Sequence, residues 1–392
     1  MNGIDRGQSI GVIGAGTMGR GIAQVAATFG HRTRVFDTDA GARDDACVAL
    51  QKVFARLVEK GRVEDATASA ILGRIEFVDA LPTLGESALV IEAVVEDLGV
   101  KKGLFAELEH IVSPDAILAS NTSSLSIAAI SSACKHPGRM LGIHFFNPAP
   151  LLPLVEIIPC VRSNSDTLAR ARATVDAWGK TTVIAGDTPG FIVNRVARPF
   201  YGEALRILDE GIADVATIDY AMKEKGGFRM GPFELMDFIG NDINYTVTET
   251  VFSAFFNDPR YRPSITQQRL VESGLLGRKS GRGFYDHAEG AQRPAPEGDD
   301  ALHGEIFDRV LAMLINEASD ALFWNVATRD DIDLAMTKGV NYPKGLLRWA
   351  DDIGLETVLS KIASLRETYS EDRYRPSPLL RRMVAAGETF YP

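Results

Sequence analysis

Short apolar runs alternate with helical patterns through the first half of the chain. Residues 9–13 and 33–36 are typical of buried strands, and residues 20–29 between them carry apolar side chains at helical spacing. Further strands are predicted at 89–93, 117–120, 140–145, 154–158 and 182–185, with helices such as 100–112 and 166–178 between most of them. This alternation predicts a mostly parallel sheet with helices on both faces, whose ligand lies beyond the carboxyl ends of the strands.

The second half is helical and contains an internal repeat. Residues 187–212 form a long amphipathic pattern, which Pro199 is expected to bend. Residues 194–242 align without a gap on 308–356, with 14 of 49 positions identical, among them Arg195/Arg309 and Glu203/Glu317. The pentapeptide RYRPS also occurs twice, at 260–264 and 373–377. A duplicated helical unit is the direct interpretation.

The first predicted strand leads into the glycine motif GAGTMG, which opens a helix. Gly14 permits a tight turn, Gly16 lets the backbone approach a pyrophosphate, and Gly19 lets helix and strand pack closely, with Thr17 and Met18 completing the loop. Asp37 ends the next strand, eighteen residues after Gly19, where its carboxylate can bind ribose hydroxyls and repel a 2′-phosphate. The motif therefore predicts a Rossmann-type domain that binds NAD rather than NADP.

These patterns divide the chain into four segments. We expect an NAD-binding domain at 1–186, a first helical domain at 187–288, a linker rich in proline, glycine and acidic residues at 289–300, and a second helical domain at 301–392. The second helical copy has Asp308 in place of Asn194 and lacks the segment around Lys279. We therefore expect the first copy to line the active cleft and the second to support it structurally.

Composition restricts the class of protein. A net charge of −10 argues against a general nucleic-acid binder. The three cysteines show no metal-binding spacing, so no metal is expected, and their odd number fits a reducing compartment. No apolar stretch approaches twenty residues, and residues 1–9 lack the apolar core of a signal peptide. We expect a cytoplasmic protein without a membrane partner.

Several motifs in one order resemble the L-3-hydroxyacyl-CoA dehydrogenase family of fatty acid β-oxidation. The resemblance covers nearly the whole chain, and its duplicated C-terminal half resembles the bacterial 3-hydroxybutyryl-CoA and 3-hydroxyadipyl-CoA dehydrogenases. The segments that carry it are IGVIGAGTMGRGIA (10–23), VIEAVVEDLGVKKGLF (90–105), SNTSSL (120–125), HFFNP (144–148), LVEII (154–158), DTPGFIVNR (187–195) and GRKSGRGFY (277–285).

The resemblance implies roles for individual residues. His144 is then the general base, a role for which histidine is the residue type best suited at physiological pH, and Glu156 orients its ring after a hairpin-like return of the chain. Ser123 and Asn194 carry over as polar groups near the substrate oxygen and the nicotinamide. From the residues alone, Ser123 is also a candidate helix N-cap, Glu156 a surface charge at a strand edge, and His144 a structural histidine bonded to backbone.

Further positions match cofactor and substrate contacts of the family. Glu96, Lys101, Asn147 and Lys279 are expected to contact NAD, although either lysine alone is equally typical of a solvated surface. Lys52 and Arg56, four residues apart on one helix, are expected to bind the CoA phosphates. Ala49 stands where relatives have a CoA-contacting serine, which weakens that assignment.

Three functions remain open from the sequence. The first is NAD-dependent oxidation of a short-chain L-3-hydroxyacyl-CoA, with Arg229 as a candidate partner for a distal carboxylate. The second keeps the reaction but acts on a non-CoA hydroxy acid of the gulonate type. The third is an NAD-binding protein without turnover, against which the acid–base pair argues. In shorter relatives the helical domain joins two subunits, so this chain is expected to be a monomer with an internal pseudo-dimer or a homodimer.

Overall fold

The computed structural model describes residues 3–392, so residues 1 and 2 of the expected NAD-binding domain lie outside the described range. The chain divides into two compact units, the first ending at Thr188 and the second spanning Pro189–Pro392. Within residues 3–392, none of the helices has both the length and the apolar character that a membrane span requires.

The first unit is built around a single twisted sheet of eight strands. In chain order the strands are β1 (Ser9–Ile13), β2 (Thr33–Phe36), β3 (Ile75–Val78), β4 (Ser87–Glu92), β5 (Ile117–Ser120), β6 (Met140–Phe145), β7 (Leu154–Pro159) and β8 (Thr181–Ile184). Their spatial order is β3-β2-β1-β4-β5-β6-β7-β8, so the chain direction across the sheet reverses between β1 and β4. A reversal of this kind opens a crevice at the carboxyl ends of the strands.

Six helices connect and cover these strands. They are α1 (Thr17–Thr28), α2 (Ala40–Glu59), α3 (Asp65–Leu72), α4 (Leu98–Ile111), α5 (Ile127–Ser131) and α6 (Ser165–Ala177). The apolar side chains of the strands pack into separate clusters on the two faces of the sheet, with Ile10 and Val12 in one and Val90 and Leu118 in the other. The predicted α/β domain is confirmed. The pattern analysis missed β3, whose residues IEFV are only partly buried.

The sheet is parallel except where β6 turns back into β7. β7 is antiparallel to β6, and β8 is parallel to β7. In the β6–β7 register His144 lies directly opposite Glu156, and Ile143 opposite Ile157. Directly opposed residues on an antiparallel pair point to the same face, so this register brings the histidine and the glutamate together.

The second unit is helical, as predicted. Its helices are α7 (Val193–Val196), α8 (Arg198–Asp209), α9 (Val215–Gly226), α10 (Pro232–Ile239), α11 (Asn241–Ala254), α12 (Ile265–Glu272), α13 (Asp300–Phe323), α14 (Arg329–Gly339), α15 (Leu346–Ile353), α16 (Leu355–Tyr369) and α17 (Pro378–Ala386). The long helix predicted over 187–212 is wrong in extent. It begins at Val193 and is interrupted at Ala197, two residues before Pro199, whose ring nitrogen has no hydrogen to donate to the preceding turn.

The repeat is visible in the hydrogen bonds as well as in the helices. Asp219 accepts the backbone N–H groups of Phe233 and Glu234 and the hydroxyl of Tyr285 at 2.8 Å. Its counterpart in the second copy, Asp333, accepts two backbone N–H groups and the hydroxyl of Tyr391 at 3.0 Å. The two copies therefore share one internal framework, in which a buried aspartate holds the start of the next helix.

Reciprocal ion pairs join the two copies. Arg195 of the first copy donates to Glu317 of the second at 2.6 Å, and Arg309 of the second donates to Glu203 of the first at 3.0 Å. All four residues are at most 5% exposed. Tyr261 and Tyr374, also equivalent, donate to Glu317 and Glu203 respectively. The identical residues of the repeat thus form a contact in which each copy supplies the partner of the other, as at a two-fold subunit interface.

These ion pairs predict a large loss of stability when Glu317 is replaced and a smaller one when Glu203 is replaced. Glu317→Gln leaves the buried Arg195 without its counter-charge and should lower the free energy of unfolding by about 3 kcal/mol or more. Glu203→Gln should cost less, because Arg309 keeps its ion pair with Glu210. Glu76→Gln breaks an exposed pair with Arg32 and should cost less than about 1 kcal/mol. Urea denaturation followed by circular dichroism measures all three. If all three substitutions lowered the free energy of unfolding by equal, small amounts, the reciprocal pairs would not be what holds the copies together.

Candidate active site

The glycine loop lies at the carboxyl end of β1, beside the reversal of strand order. Gly14 has φ +101°, and a Cβ there would lie 2.5 Å from the carbonyl oxygen of Ala93. A Cβ on Gly19 would lie 1.8 Å from the carbonyl oxygen of Gly14, so only glycine lets α1 approach the strand this closely. A Cβ on Gly16 would have no atom within 4 Å. Gly16 therefore borders open space at the start of α1, where backbone N–H groups suit a pyrophosphate.

The carboxylate of Asp37 is hydrogen-bonded to the glycine loop. One of its carboxylate oxygens accepts the backbone N–H of Ala15 at 2.7 Å, and the other accepts that of Asp39 at 3.0 Å. Asp39 caps α2 by accepting the backbone N–H of Gly41. A carboxylate fixed at the end of β2 next to the glycine loop fits a ribose diol, and together with the open loop it fits a bound dinucleotide.

Glu96 and Ser123 belong to one polar cluster beyond β4 and β5. One Glu96 oxygen accepts the Thr122 hydroxyl at 2.5 Å, the Ser123 N–H at 3.1 Å and the Ser124 hydroxyl at 3.0 Å. Although burial acts to raise it, these hydrogen bonds and the charge of Lys101 hold the pKa of Glu96 below its ordinary value. The N-cap of α5 is Ser126, so the interpretation of Ser123 as that cap is wrong.

Lys101 is buried and paired with carboxylates. Its ammonium group lies 2.5 Å from Glu92 and 3.3 Å from Glu96, and the side chain is 1% exposed. The interpretation as a solvated surface lysine is therefore wrong. Glu92, completely buried, also accepts the Ser120 hydroxyl at 2.6 Å. Through Glu92, Lys101 is thus linked to the last residues of both β4 and β5.

The imidazole of His144 is bonded to a buried carboxylate. Its Nδ1 lies 2.7 Å from Oε2 of Glu156. His144 is 6% exposed and Glu156 is completely buried, which excludes a surface charge at a strand edge. A carboxylate at Nδ1 fixes the neutral ring as the Nδ1–H tautomer and leaves Nε2 as the basic nitrogen. The ring centroid of Phe146 lies 4.5 Å from that of the imidazole.

Two asparagines lie near the end of β6. Asn121 accepts the backbone N–H of Phe145 at 2.8 Å and so ties the loop after β5 to the end of β6. Asn147, predicted to contact the cofactor, is exposed in the turn that follows β6. The loops after β4, β5 and β6, at one edge of the sheet, therefore carry Glu96, Ser123 and Asn147.

Asn194 and Lys279 belong to the second unit. Asn194 lies in the short helix α7, next to Arg195, which is held by Glu317. Lys279 is 43% exposed, and its ammonium group lies 2.6 Å from the carboxylate of Asp242. Buried Asp237 accepts the N–H groups of Phe284 and Tyr285, which anchors the segment that carries Lys279.

Lys52 and Arg56 are both exposed on α2, one helical turn apart as predicted. Val53 between them is 43% exposed, and Ala49 lies one turn before it. This helix surface combines two cations with an apolar strip.

Sequence reasoning missed several polar residues of the site. Thr122 and Glu92 bond to Glu96 and Lys101 respectively, and Asn121 bonds to the backbone of Phe145, next to His144. Each of the three lies at or just beyond the end of a predicted strand. A search for polar residues at strand ends, rather than for familiar motif positions, would have found them. No group of three or more histidine, cysteine, aspartate or glutamate side chains among residues 3–392 is arranged to bind a metal ion.

Comparison with known proteins identifies the same family in both units. The model described as 3-hydroxyacyl-CoA dehydrogenase, NAD binding domain, matches residues 9–188. The model of the C-terminal domain of the same family matches residues 190–287 and again 304–390, so the repeat is recognised as two copies of one domain.

Individual relatives agree with these matches. The 3-hydroxyadipyl-CoA dehydrogenase of Escherichia coli is 37% identical, over 96% of this chain and 97% of that protein. A probable 3-hydroxybutyryl-CoA dehydrogenase of Deinococcus radiodurans is 42% identical over 71% of this chain and 99% of its own. The crystal structure of a 3-hydroxybutyryl-CoA dehydrogenase from Escherichia coli K12 superimposes with a TM-score of 0.92 at 36% identity, covering 97% of this chain and 98% of that chain.

The matches extend over nearly the whole chain, and the sheet, the glycine loop and the duplicated helical unit agree with them. The resemblance found in the sequence and the expected cofactor are both confirmed. The chain belongs to the 3-hydroxyacyl-CoA dehydrogenase family, and its first unit is that family's NAD-binding domain.

Proposed function

We propose that this protein oxidises short-chain L-3-hydroxyacyl-CoA thioesters to 3-ketoacyl-CoA, with NAD as the hydride acceptor. The observation that carries the proposal is the buried His144–Glu156 pair, which lies on the same edge of the sheet as the glycine loop. A protein that only binds NAD has no use for such a pair. The similar proteins named above act on the 3-hydroxybutyryl and 3-hydroxyadipyl thioesters, so we propose these two as substrates.

His144 performs the proton transfer in this proposal. Its Nε2 accepts the proton of the C3 hydroxyl, and the same nitrogen returns it when the reaction runs in reverse. Glu156 holds the ring in position and stabilises the imidazolium that forms, because its carboxylate oxygen lies 2.7 Å from Nδ1. The nicotinamide, when bound, accepts the hydride from C3.

Ser123 and Asn194 stabilise the substrate oxygen. A hydroxyl and an amide both donate hydrogen bonds to an oxygen that gains negative charge as its proton leaves. The Ser123 backbone N–H is bonded to Glu96, which fixes the position of the loop after β5. Arg195 and Glu317 fix the turn of α7 that carries Asn194.

The remaining predicted residues are assigned to binding. We assign the pyrophosphate to Gly14, Gly16, Thr17, Met18 and Gly19, and the adenosine ribose to Asp37. Glu96, Lys101, Asn147 and Lys279 complete the cofactor site, with Lys101 acting through Glu92 and Glu96 because its ammonium group is already paired. We assign the CoA phosphates to Lys52 and Arg56, and the exposed Val53 supports this because CoA also presents apolar surface.

The reciprocal ion pairs support a monomer with an internal pseudo-dimer. The contact that each helical copy makes with the other buries the charged residues that a two-fold subunit interface would use. A chain with both halves of that contact has no need of a partner chain there.

The assay that separates the candidate functions is NADH oxidation with different ketones. We expect turnover with acetoacetyl-CoA, because the proposed site takes a 3-ketoacyl thioester in the reverse direction. Absence of that turnover together with activity on free sugar acids would select the hydroxy-acid dehydrogenase. Tight NAD binding without either activity would select a non-catalytic protein.

Replacement of the proposed base tests the roles within the site. His144→Gln should lower kcat by about 100-fold or more, because general acid–base catalysis contributes on this scale, while the Kd for NAD stays unchanged. His136→Gln alters an exposed histidine of the same unit and should leave both constants unchanged. Stopped-flow absorbance measures turnover, and calorimetry measures NAD binding. A His144→Gln enzyme that keeps a tenth of the wild-type kcat, a barrier increase of about 1.4 kcal/mol, would show that His144 is not the base.

A further inference from the structure

The first helical copy contains a buried guanidinium without a counter-charge. Arg198, the first residue of α8, is 7% exposed. It takes part in none of the ion pairs formed among residues 3–392. Its side chain donates one hydrogen bond, to the hydroxyl of Thr248 at 3.1 Å, and its Nε–H has no acceptor. A buried charge without a partner destabilises the folded state, so a bound anion would stabilise this arrangement.

Neighbouring groups do not supply that anion. The guanidinium carbon lies 4.9 Å from the ring centroid of Tyr201, which offers a cation–π contact but no negative charge at neutral pH. Burial lowers the pKa of Arg198, and the neighbouring Tyr201 and Tyr342 only partly oppose this. The hydroxyl of Tyr342 is itself buried without a hydrogen-bond partner.

Arg198 lines a cavity of about 330 Å³ whose wall is rich in arginine. Arg206 and Arg260 also line it, but their charges are balanced by Glu203 and by Glu317 with Asp320. Arg262 lines the cavity, is exposed, and is in no ion pair among the described residues. Asp209, the carboxylate on the wall, already accepts the hydroxyls of Ser264 and Thr266. The cavity therefore has unbalanced positive charge in a chain whose net charge is −10.

The second copy shows that the fold does not need these polar residues. The positions equivalent to Arg198, Thr248 and Gln267 are Ala312, Ile362 and Leu380, all buried. The equivalent helices, α13, α16 and α17, thus place apolar side chains at these three positions. The buried Arg198 of the first copy is therefore not required by the framework that the two copies share.

We propose that this cavity binds a small anion through a carboxylate or phosphate group, with the Arg198 guanidinium as its main partner. The planar guanidinium offers parallel N–H donors that match both groups. Arg198 and Thr248 line the cavity together with the exposed Arg262. The volume of the cavity suits a compact metabolite. This site does not depend on the proposed catalytic function.

The test is the thermal stability of the whole protein at constant ionic strength, with chloride replaced by a rising concentration of inorganic phosphate or of glutarate. In the wild type we expect a saturable rise in Tm with at least one of the two anions, because a ligand that binds only the folded state stabilises it. Saturation by phosphate alone assigns a phosphate-bearing ligand, and saturation by glutarate alone assigns a carboxylate.

Arg198→Ala should abolish this rise. The variant is expected to fold, since alanine occupies the equivalent position in the second copy, and without added anion its Tm should equal or exceed that of the wild type. If Arg198 had a purely structural role, its replacement by alanine would instead lower the Tm. Arg366→Ala, which removes a half-exposed arginine from α16, is the matched control and should keep the full response.

Thr248→Ile gives a second, independent variant, because isoleucine is the equivalent residue of the other copy. It removes the hydroxyl beside the guanidinium and should weaken the anion response at least several-fold. The proposal is overturned if neither anion gives a saturable rise in the wild type, or if Arg198→Ala responds as the wild type does.

Discussion

The register between β6 and β7 determines the chemistry of this protein. β6 carries His144 and β7 carries Glu156, and the antiparallel pairing sets them directly opposite each other. A slip of one residue would turn the carboxylate to the other face of the sheet. Because both faces of these strands are buried, such a slip would also leave two ionisable groups buried and unpaired. The packing that stabilises the sheet and the geometry needed for proton transfer therefore depend on the same pairing.

The helical unit shows how one framework is kept while its chemistry diverges. Asp219 and Asp333 make the same hydrogen bonds in the two copies, and Glu203 and Glu317 exchange arginine partners between them. The copies differ at positions that the shared framework does not use. Asn194 is aligned with Asp308, and Arg198 is aligned with Ala312. Residues that differ between otherwise equivalent positions are the ones to which specific functions can be assigned.

Much of the fold could be predicted from the sequence because it depends on local patterns. The strands around the glycine loop are apolar runs between turn residues, and the repeat is readable as aligned identities. β3 was missed because its four residues are too few and too exposed to give a period. The helix over 187–212 was predicted too long because the pattern is amphipathic throughout, whereas backbone geometry at Ala197 and Pro199 interrupts it.

The site was less predictable, since it depends on contacts distant in sequence. A return after the turn that follows β6 indicated that Glu156 lies beside His144, but nothing local showed that Lys101 is buried by Glu92 or that Arg198 lacks a carboxylate. The tautomer of His144 is the most direct measure of this arrangement. In ¹⁵N NMR spectra recorded where the imidazole is neutral, with the signal assigned by its loss in His144→Gln, we expect a protonated Nδ1 and an unprotonated Nε2. A protonated Nε2 with an unprotonated Nδ1 would contradict it, because the nitrogen proposed as the base would then already carry its proton.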